Sequence, residues 1–72
     1  MSFNETLKKL RIEKKLTQEE LAQATGLSRS AIGMYESGSR EPNFETLEIL
    51  ADFFNVDMNT LLSKTQAKFG YY

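Results

Sequence analysis

The chain has 72 residues, with nine basic and ten acidic side chains, a formal net charge of −1, and no cysteine or histidine; this length allows one small domain. The missing residue types exclude a disulfide framework, the commonest zinc ligands and the commonest general base, so we expect no cofactor, no metal site and no enzyme activity. No apolar run approaches the roughly 18 residues that cross a bilayer and no signal peptide opens the chain, so we expect a cytoplasmic protein without a membrane partner or an evident small-molecule ligand.

The first predicted helix begins just after Met1, where Ser-Phe-Asn-Glu has the S-x-x-E form of a capping box. Phe3, Leu7 and Leu10 follow at helical spacing and predict one apolar stripe. Cations favour a helix C-terminus, so the helix should end near Lys15.

A second capping box, Thr-Gln-Glu-Glu at residues 17–20, predicts the start of the next helix. We expect Leu21, Ala22 and Ala24 to face inward in this helix. Gly26 tolerates the left-handed conformation that is common just past a helix end, so the second helix should stop there.

Ser28 is the predicted cap of a third helix, which turns Ile32 and Tyr35 inward and ends at Gly38. The break between the second and third helices is too short for antiparallel packing and favours a steep crossing, as in a helix-turn-helix. In that geometry, the residue at 22 must be small and Ile32 must fill the junction. The opposite side of the third helix then carries Arg29, Ser30, Gly33, Met34 and Ser37, and it can enter a DNA major groove.

The fourth predicted helix has Asn43 as its cap and follows the single proline of the chain. Its apolar face is predicted to consist of Phe44, Leu47, Leu50, Ala51 and Phe54. Asp57 can cap a short fifth helix that contains Leu61 and Leu62. The pattern predicts an all-α, five-helix domain in residues 1–64, followed in residues 65–72 by a tail or the start of a linker.

Residues 3–63 resemble the Cro/repressor-type helix-turn-helix family of lambda-repressor-like domains. The resemblance rests on Leu-Thr-Gln-Glu-Glu-Leu-Ala at residues 16–22, on Gly-Leu-Ser at residues 26–28 and on Ile32, Tyr35-Glu36 and Gly38. The Arg-Glu-Pro that follows and the helix at residues 45–56 fit the same family.

The resemblance implies a role for each matching position. The base-contacting residues would be Arg29, Ser30, Gly33 and Met34. The phosphate-contacting residues would be Thr17, Gln18, Ser28, Ser37, Gly38 and Arg40, with Gln18 also bracing the third helix. A structural ion pair would join Arg11 to Glu36. Several relatives read bases with glutamines, so an operator sequence does not transfer to this chain; arginine at position 29 favours guanine, and the small residues beside it favour readout of DNA shape.

Several of these positions also have ordinary structural explanations. Arg29 could be a solvated helix residue, although its charge at a helix N-terminus opposes the dipole and favours a binding role. Gly33 could relieve crowding inside the protein, and Met34 could belong to the margin of the core. Thr17 acts mainly as a cap.

The charges are divided unevenly along the chain. Residues 1–40 contain seven basic and five acidic side chains, and residues 41–72 contain two basic and five acidic. The front of the chain therefore carries +2 and the back −3, which keeps a double-stranded DNA partner in play despite the negative total.

The expected function is that of a sequence-specific transcriptional regulator, a repressor of phage, prophage or bacterial type that binds a palindromic operator as a homodimer. The candidate dimer residues are Ile49, Phe53, Met58, Leu61 and Leu62. Alternatively, the tail with Phe69, Tyr71 and Tyr72 covers that surface. A different class of function is also open, a protein-interaction adaptor or antitoxin-like module that uses the acidic C-terminal half.

Overall fold

The structure, a computed structural model, describes residues 2–62, which form five α-helices without a β-strand in that range. The helices are α1 (Phe3–Glu13), α2 (Gln18–Thr25), α3 (Arg29–Ser37), α4 (Phe44–Phe54) and α5 (Met58–Leu62). The predicted all-α, five-helix architecture is confirmed. No helix in this range combines the length and apolar character needed to cross a bilayer. The predicted tail at residues 65–72, with its three aromatic residues, lies outside the described residues.

Polar caps begin the helices where the sequence predicts them. At the start of α2, the Glu20 amide donates to the Thr17 hydroxyl over 3.0 Å, and the Thr17 amide donates to Glu20 Oε1 over 2.8 Å. At the start of α1, the Ser2 amide donates to Glu5 Oε1 over 3.2 Å. In the three later helices, the side chains of Ser28, Asn43 and Asp57 accept from the amides of Ala31, Thr46 and Thr60. Each such cap stabilises its helix by about 1 kcal/mol.

Left-handed residues end the first four helices. Gly26 has a φ of 80° and Gly38 a φ of 85°, as the glycine positions predict. Lys15 and Asn55 adopt the same region with φ values of 60° and 58°. Because the chain reverses at Lys15, α1 ends at Glu13, slightly earlier than predicted.

The core lies between α3 and the helices around it, with α3 packed against α1 and α2, and α5 packed against α1 and α4. Its fully buried side chains are Leu7, Leu21, Ile32, Leu50 and Leu61. Burying a leucine or isoleucine side chain stabilises the fold by about 1.5–3 kcal/mol, so these side chains fix how the helices cross.

Three positions differ from the prediction. Ala24 and Phe44 are exposed, Phe44 by 66%, although both were expected to face inward. Helical periodicity gives the direction of a side chain around the helix axis but not where along that axis the neighbouring helices begin. In the first turn of α4 it is Thr46 that is buried. The prediction that Leu61 belongs to a dimer surface is wrong, because its side chain is fully buried in the core, where α5 packs against α1 and α4.

Candidate nucleic-acid interface

The turn between α2 and α3 consists of three residues and is closed by Gly26, whose amide donates to the Ala22 carbonyl over 2.9 Å. A Cβ added at Gly26 would meet no atom within 4 Å, so its positive φ alone favours glycine there. Ala22 and Ile32 are both buried where the two helices meet. The predicted steric arrangement of a small residue, a left-handed turn and a bulky junction residue is therefore present.

The outward side of α3 carries the predicted base-contacting residues. Arg29 and Ser30, in the first turn, are exposed, and Gly33 and Met34, in the next turn, are partly exposed. The buried Ile32 and Tyr35 hold the other side of the helix against the core. The structure thus brings the four candidates together on one accessible surface, with Met34 reaching toward the core margin.

The exit from α3 presents hydroxyl groups and an exposed arginine. The Ser37 hydroxyl donates to the Met34 carbonyl over 3.1 Å and lies 2.9 Å from the Ser39 hydroxyl. The Ser39 amide also donates to the Met34 carbonyl, and Arg40 is exposed just beyond. Sequence reasoning did not single out Ser39, although the Ser-Gly-Ser pattern around the helix end was a usable signal.

The remaining predicted phosphate-contacting positions lie at the starts of α2 and α3. Thr17 and Ser28 are exposed caps whose hydroxyl oxygens accept from backbone amides. Each hydroxyl keeps its own hydrogen for donation to another acceptor. Their capping role and a contact with a phosphate oxygen are therefore compatible.

The predicted ion pair between Arg11 and Glu36 is present and joins α1 to α3. Arg11 Nε donates to Glu36 Oε2 over 2.6 Å and Nη2 donates to Oε1 over 3.0 Å, while Nη1 donates to the Leu16 carbonyl over 2.7 Å. The side chains are 12% and 4% exposed. The hydrogen bonds to Glu36 raise the pKa of the Arg11 guanidinium, with burial acting in the opposite direction.

Gln18 joins the same carboxylate, a contact that sequence reasoning did not predict. Its Nε2 donates to Glu36 Oε1 over 3.1 Å, so Glu36 receives hydrogen bonds from α1 and from the first residue of α2. A Cβ added at Gly33 would lie 3.8 Å from Gln18 Oε1, which is an ordinary contact. Crowding inside the protein therefore does not explain the glycine at position 33.

Metal chemistry finds no support in the described residues. Within residues 2–62, no three histidine, cysteine, aspartate or glutamate side chains are grouped so as to hold a metal ion.

The short turn, the buried junction and the accessible outer side of α3 define a helix-turn-helix domain. Residues 7–61 match the model of a family described as helix-turn-helix. The match covers most of the chain, and the chain belongs to this XRE-type helix-turn-helix family.

Relatives and a solved structure agree with this assignment. The chain is 49% identical over 63 residues to the transcriptional activator BcrR of Enterococcus faecalis, covering 88% of this chain and 31% of that protein. It is 36% identical over 64 residues to the cryptic phage CTXphi transcriptional repressor RstR of Vibrio cholerae, covering 89% of this chain and 58% of that protein. The chain therefore spans less than two thirds of the length of these curated relatives.

The fold also resembles the crystal structure of the restriction-modification controller protein C.AhdI from Aeromonas hydrophila. The TM-score is 0.76 at 36% identity, over 82% of this chain and 89% of that chain. The family and the regulators among its relatives indicate a DNA-binding domain without enzyme activity.

Proposed function

We propose that the protein is a sequence-specific, DNA-binding transcriptional regulator that inserts α3 into the major groove of an operator. The observation that carries this proposal is the accessible outer side of α3, with Arg29 and Ser30 exposed in its first turn. The opposite side is anchored by Ile32 and Tyr35, which are 0% and 5% exposed. A helix fixed on one side and open on the other can enter a groove about 12 Å wide without rearranging its core.

Base contacts are assigned to the first two turns of α3. The Arg29 guanidinium can donate two hydrogen bonds to O6 and N7 of guanine. Ser30 can donate to or accept from a base edge, and Met34 can contact a thymine methyl group. Gly33 lets the helix approach the groove closely.

Phosphate contacts are assigned to residues on either side of α3. Thr17, Gln18 and Ser28 lie at the starts of α2 and α3, where helix N-termini favour anions. Ser37, Gly38 and Arg40 lie at the exit of α3. These contacts set the orientation of the domain on the duplex without reading its sequence.

Two copies of the chain are proposed to bind a palindromic operator. One recognition helix reads only a few base pairs, too few to define a unique site, and a two-fold dimer doubles the information. The candidate interface on α4 and α5 consists of the partly exposed residues Ile49, Phe53, Met58 and Leu62. Phe53 and Met58 also pack against the core, so Ile49 and Leu62 are the more available members.

The proposed mechanism is occupancy of a promoter. A cytoplasmic repressor of phage, prophage or bacterial type that covers its operator excludes RNA polymerase and requires no cofactor. The repressor RstR among the relatives supports this direction of control, and the activator BcrR shows that the same domain also serves activation in that protein.

A second candidate function is a protein-interaction adaptor or antitoxin-like module. The observation that favours it is the acidic side of α4, where Glu45, Glu48 and Asp52 are all exposed beside the partly exposed Ile49. A basic protein partner would fit this surface.

A salt titration separates the two functions. For the DNA-binding regulator, the logarithm of the affinity for duplex DNA falls linearly with the logarithm of the salt concentration, by about one unit of slope for each phosphate neutralised. An absence of duplex binding at low salt would reject the regulator and favour the adaptor.

A further inference from the structure

The orientation of the Gln18 side-chain amide is fixed by Glu36. Gln18 Nε2 donates to Glu36 Oε1 over 3.1 Å, and the same carboxylate is held by two hydrogen bonds from Arg11. The reverse orientation would place the amide oxygen against a carboxylate oxygen, which is also an acceptor. The NH₂ group therefore turns toward Glu36 and the oxygen turns away from it.

The Gln18 oxygen lies beside Gly33, in the second turn of α3. It is 3.8 Å from the position that a Cβ of residue 33 would occupy, and no other atom lies within 4 Å of that position. Within residues 2–62, no donor makes a hydrogen bond to this oxygen. The Gln18 carbonyl thus borders the gap in the outer side of α3 that the missing side chain leaves.

The chemistry of this oxygen does not match a phosphate. Phosphate oxygens are acceptors, so Gln18 can hold a phosphate only through the second hydrogen of Nε2. An amide oxygen at the groove matches an exocyclic amino group, which the major groove offers at N6 of adenine and N4 of cytosine.

We infer that Gln18 reads a base: its Oε1 accepts a hydrogen bond from the amino group of an adenine or cytosine in the operator, through the gap at Gly33. This inference rests on the proposed function and adds a residue of α2 to the set that determines specificity. Glu36, and Arg11 behind it, are positioning residues in this scheme, because they decide which end of the amide faces the DNA.

The test uses a duplex selected by the wild-type protein from a random library, together with every single-base-pair variant of that duplex. Affinities are measured for the wild type, for Gln18→Ala and for Gln18→Met, which keeps the reach of the side chain without the amide. Gln23→Ala is the matched control, since Gln23 is an exposed glutamine of α2 whose amide donates to Glu19. The midpoint of thermal unfolding verifies that each variant is folded.

Both Gln18 variants are expected to lose about fivefold discrimination at one base pair, as befits one hydrogen bond to a base. That pair presents an adenine or a cytosine amino group, and the position at which discrimination is lost shows which base it is. Discrimination at the other pairs is unchanged, apart from one factor common to all duplexes. Gln23→Ala changes neither quantity.

A loss that is the same for every duplex would overturn the inference and leave the regulator in place, provided that Arg29→Ala still relaxes discrimination at its own base pair. A wild-type protein that binds no duplex at low salt would instead remove the proposed function, and the inference with it.

Discussion

The side-chain nitrogen of Gln18 lies 3.1 Å from a carboxylate oxygen of Glu36, which ties the first residue of α2 to the last turn of α3. Arg11 of α1 reaches the same carboxylate over 2.6 Å. Three helices therefore meet at one carboxylate whose side chain is only 4% exposed. A carboxylate in such surroundings depends on its partners, because it is largely removed from water.

Arg11→Met should destabilise the fold by about 3–5 kcal/mol, the usual cost of leaving one member of a buried ion pair without its partner. Urea denaturation gives the free energy of unfolding. Arg40→Met is the matched control, since Arg40 is exposed and its replacement should change stability by less than about 0.5 kcal/mol. Equal small effects of the two substitutions would mean that the Arg11–Glu36 pair does not hold α1 to α3.

Two glycine substitutions should have opposite effects on stability. Gly26→Ala should cost about 1–2 kcal/mol because Gly26 has a φ of 80°, a region that alanine disfavours. Gly33→Ala should add up to about 1 kcal/mol, because alanine is the better helix former and its methyl group would make an ordinary contact with Gln18. Thermal unfolding of the two variants provides the comparison.

The Gly33→Ala variant should also bind its operator more weakly than the wild type, although it is the more stable protein. The added methyl group occupies space through which α3 approaches the groove. A variant that is more stable and binds equally well would show that close approach at Gly33 is not required.

Acid should remove the contribution of the Asp57 cap. The hydroxyl of Thr60, and to a lesser extent its amide, donate to Asp57 and lower the pKa of this carboxyl below its ordinary value of 3.8. Because the folded-state pKa is the lower one, the contribution is complete above the ordinary pKa and is lost as the pH falls through the folded-state pKa.

Thermal unfolding of the wild type and of Asp57→Asn between neutral pH and about pH 2.5 tests this dependence. Asparagine can cap α5 without titrating. The advantage of the wild type over the variant should shrink as the pH falls below the ordinary aspartate pKa. A constant difference across the acid range would show that the charge of Asp57 is not involved.

Arg29→Ala and Arg40→Ala should weaken DNA binding in different ways. Loss of Arg29 should cost about 1–3 kcal/mol on the preferred site and relax the preference at one base pair. Loss of Arg40 should weaken binding to all duplexes alike and lower the salt slope by about one. Affinities for a selected duplex and its single-pair variants separate these outcomes, and uniform losses for both variants would contradict the assigned roles.

The local features of this fold could be predicted from the sequence because they depend on neighbouring residues. The capping box of Thr17 and Glu20, the left-handed Gly26 and the Asp57 cap each involve groups within three or four positions of one another. Features that depend on how helices meet could not be predicted in the same way. Phe44 and Leu61 exchanged their expected environments, since periodicity does not say which part of a helix its neighbours cover.

The candidate site shows the same division between local and tertiary information. The spacing of Arg29, Ser30 and Gly33 on one side of α3 follows from helical periodicity, and the structure leaves that side accessible. The contact between Gln18 and Glu36, 18 positions apart, arises only from the crossing of α2 and α3.

The most direct test of the proposed recognition surface is a map of backbone amide chemical shifts in the ¹⁵N-labelled protein on addition of a selected operator duplex. Insertion of α3 predicts that the largest changes fall on Arg29, Ser30, Gly33 and Met34, with the amides of Glu48 and Asp52 in α4 changing little. Changes concentrated on α4, with the outer side of α3 unaffected, would contradict it.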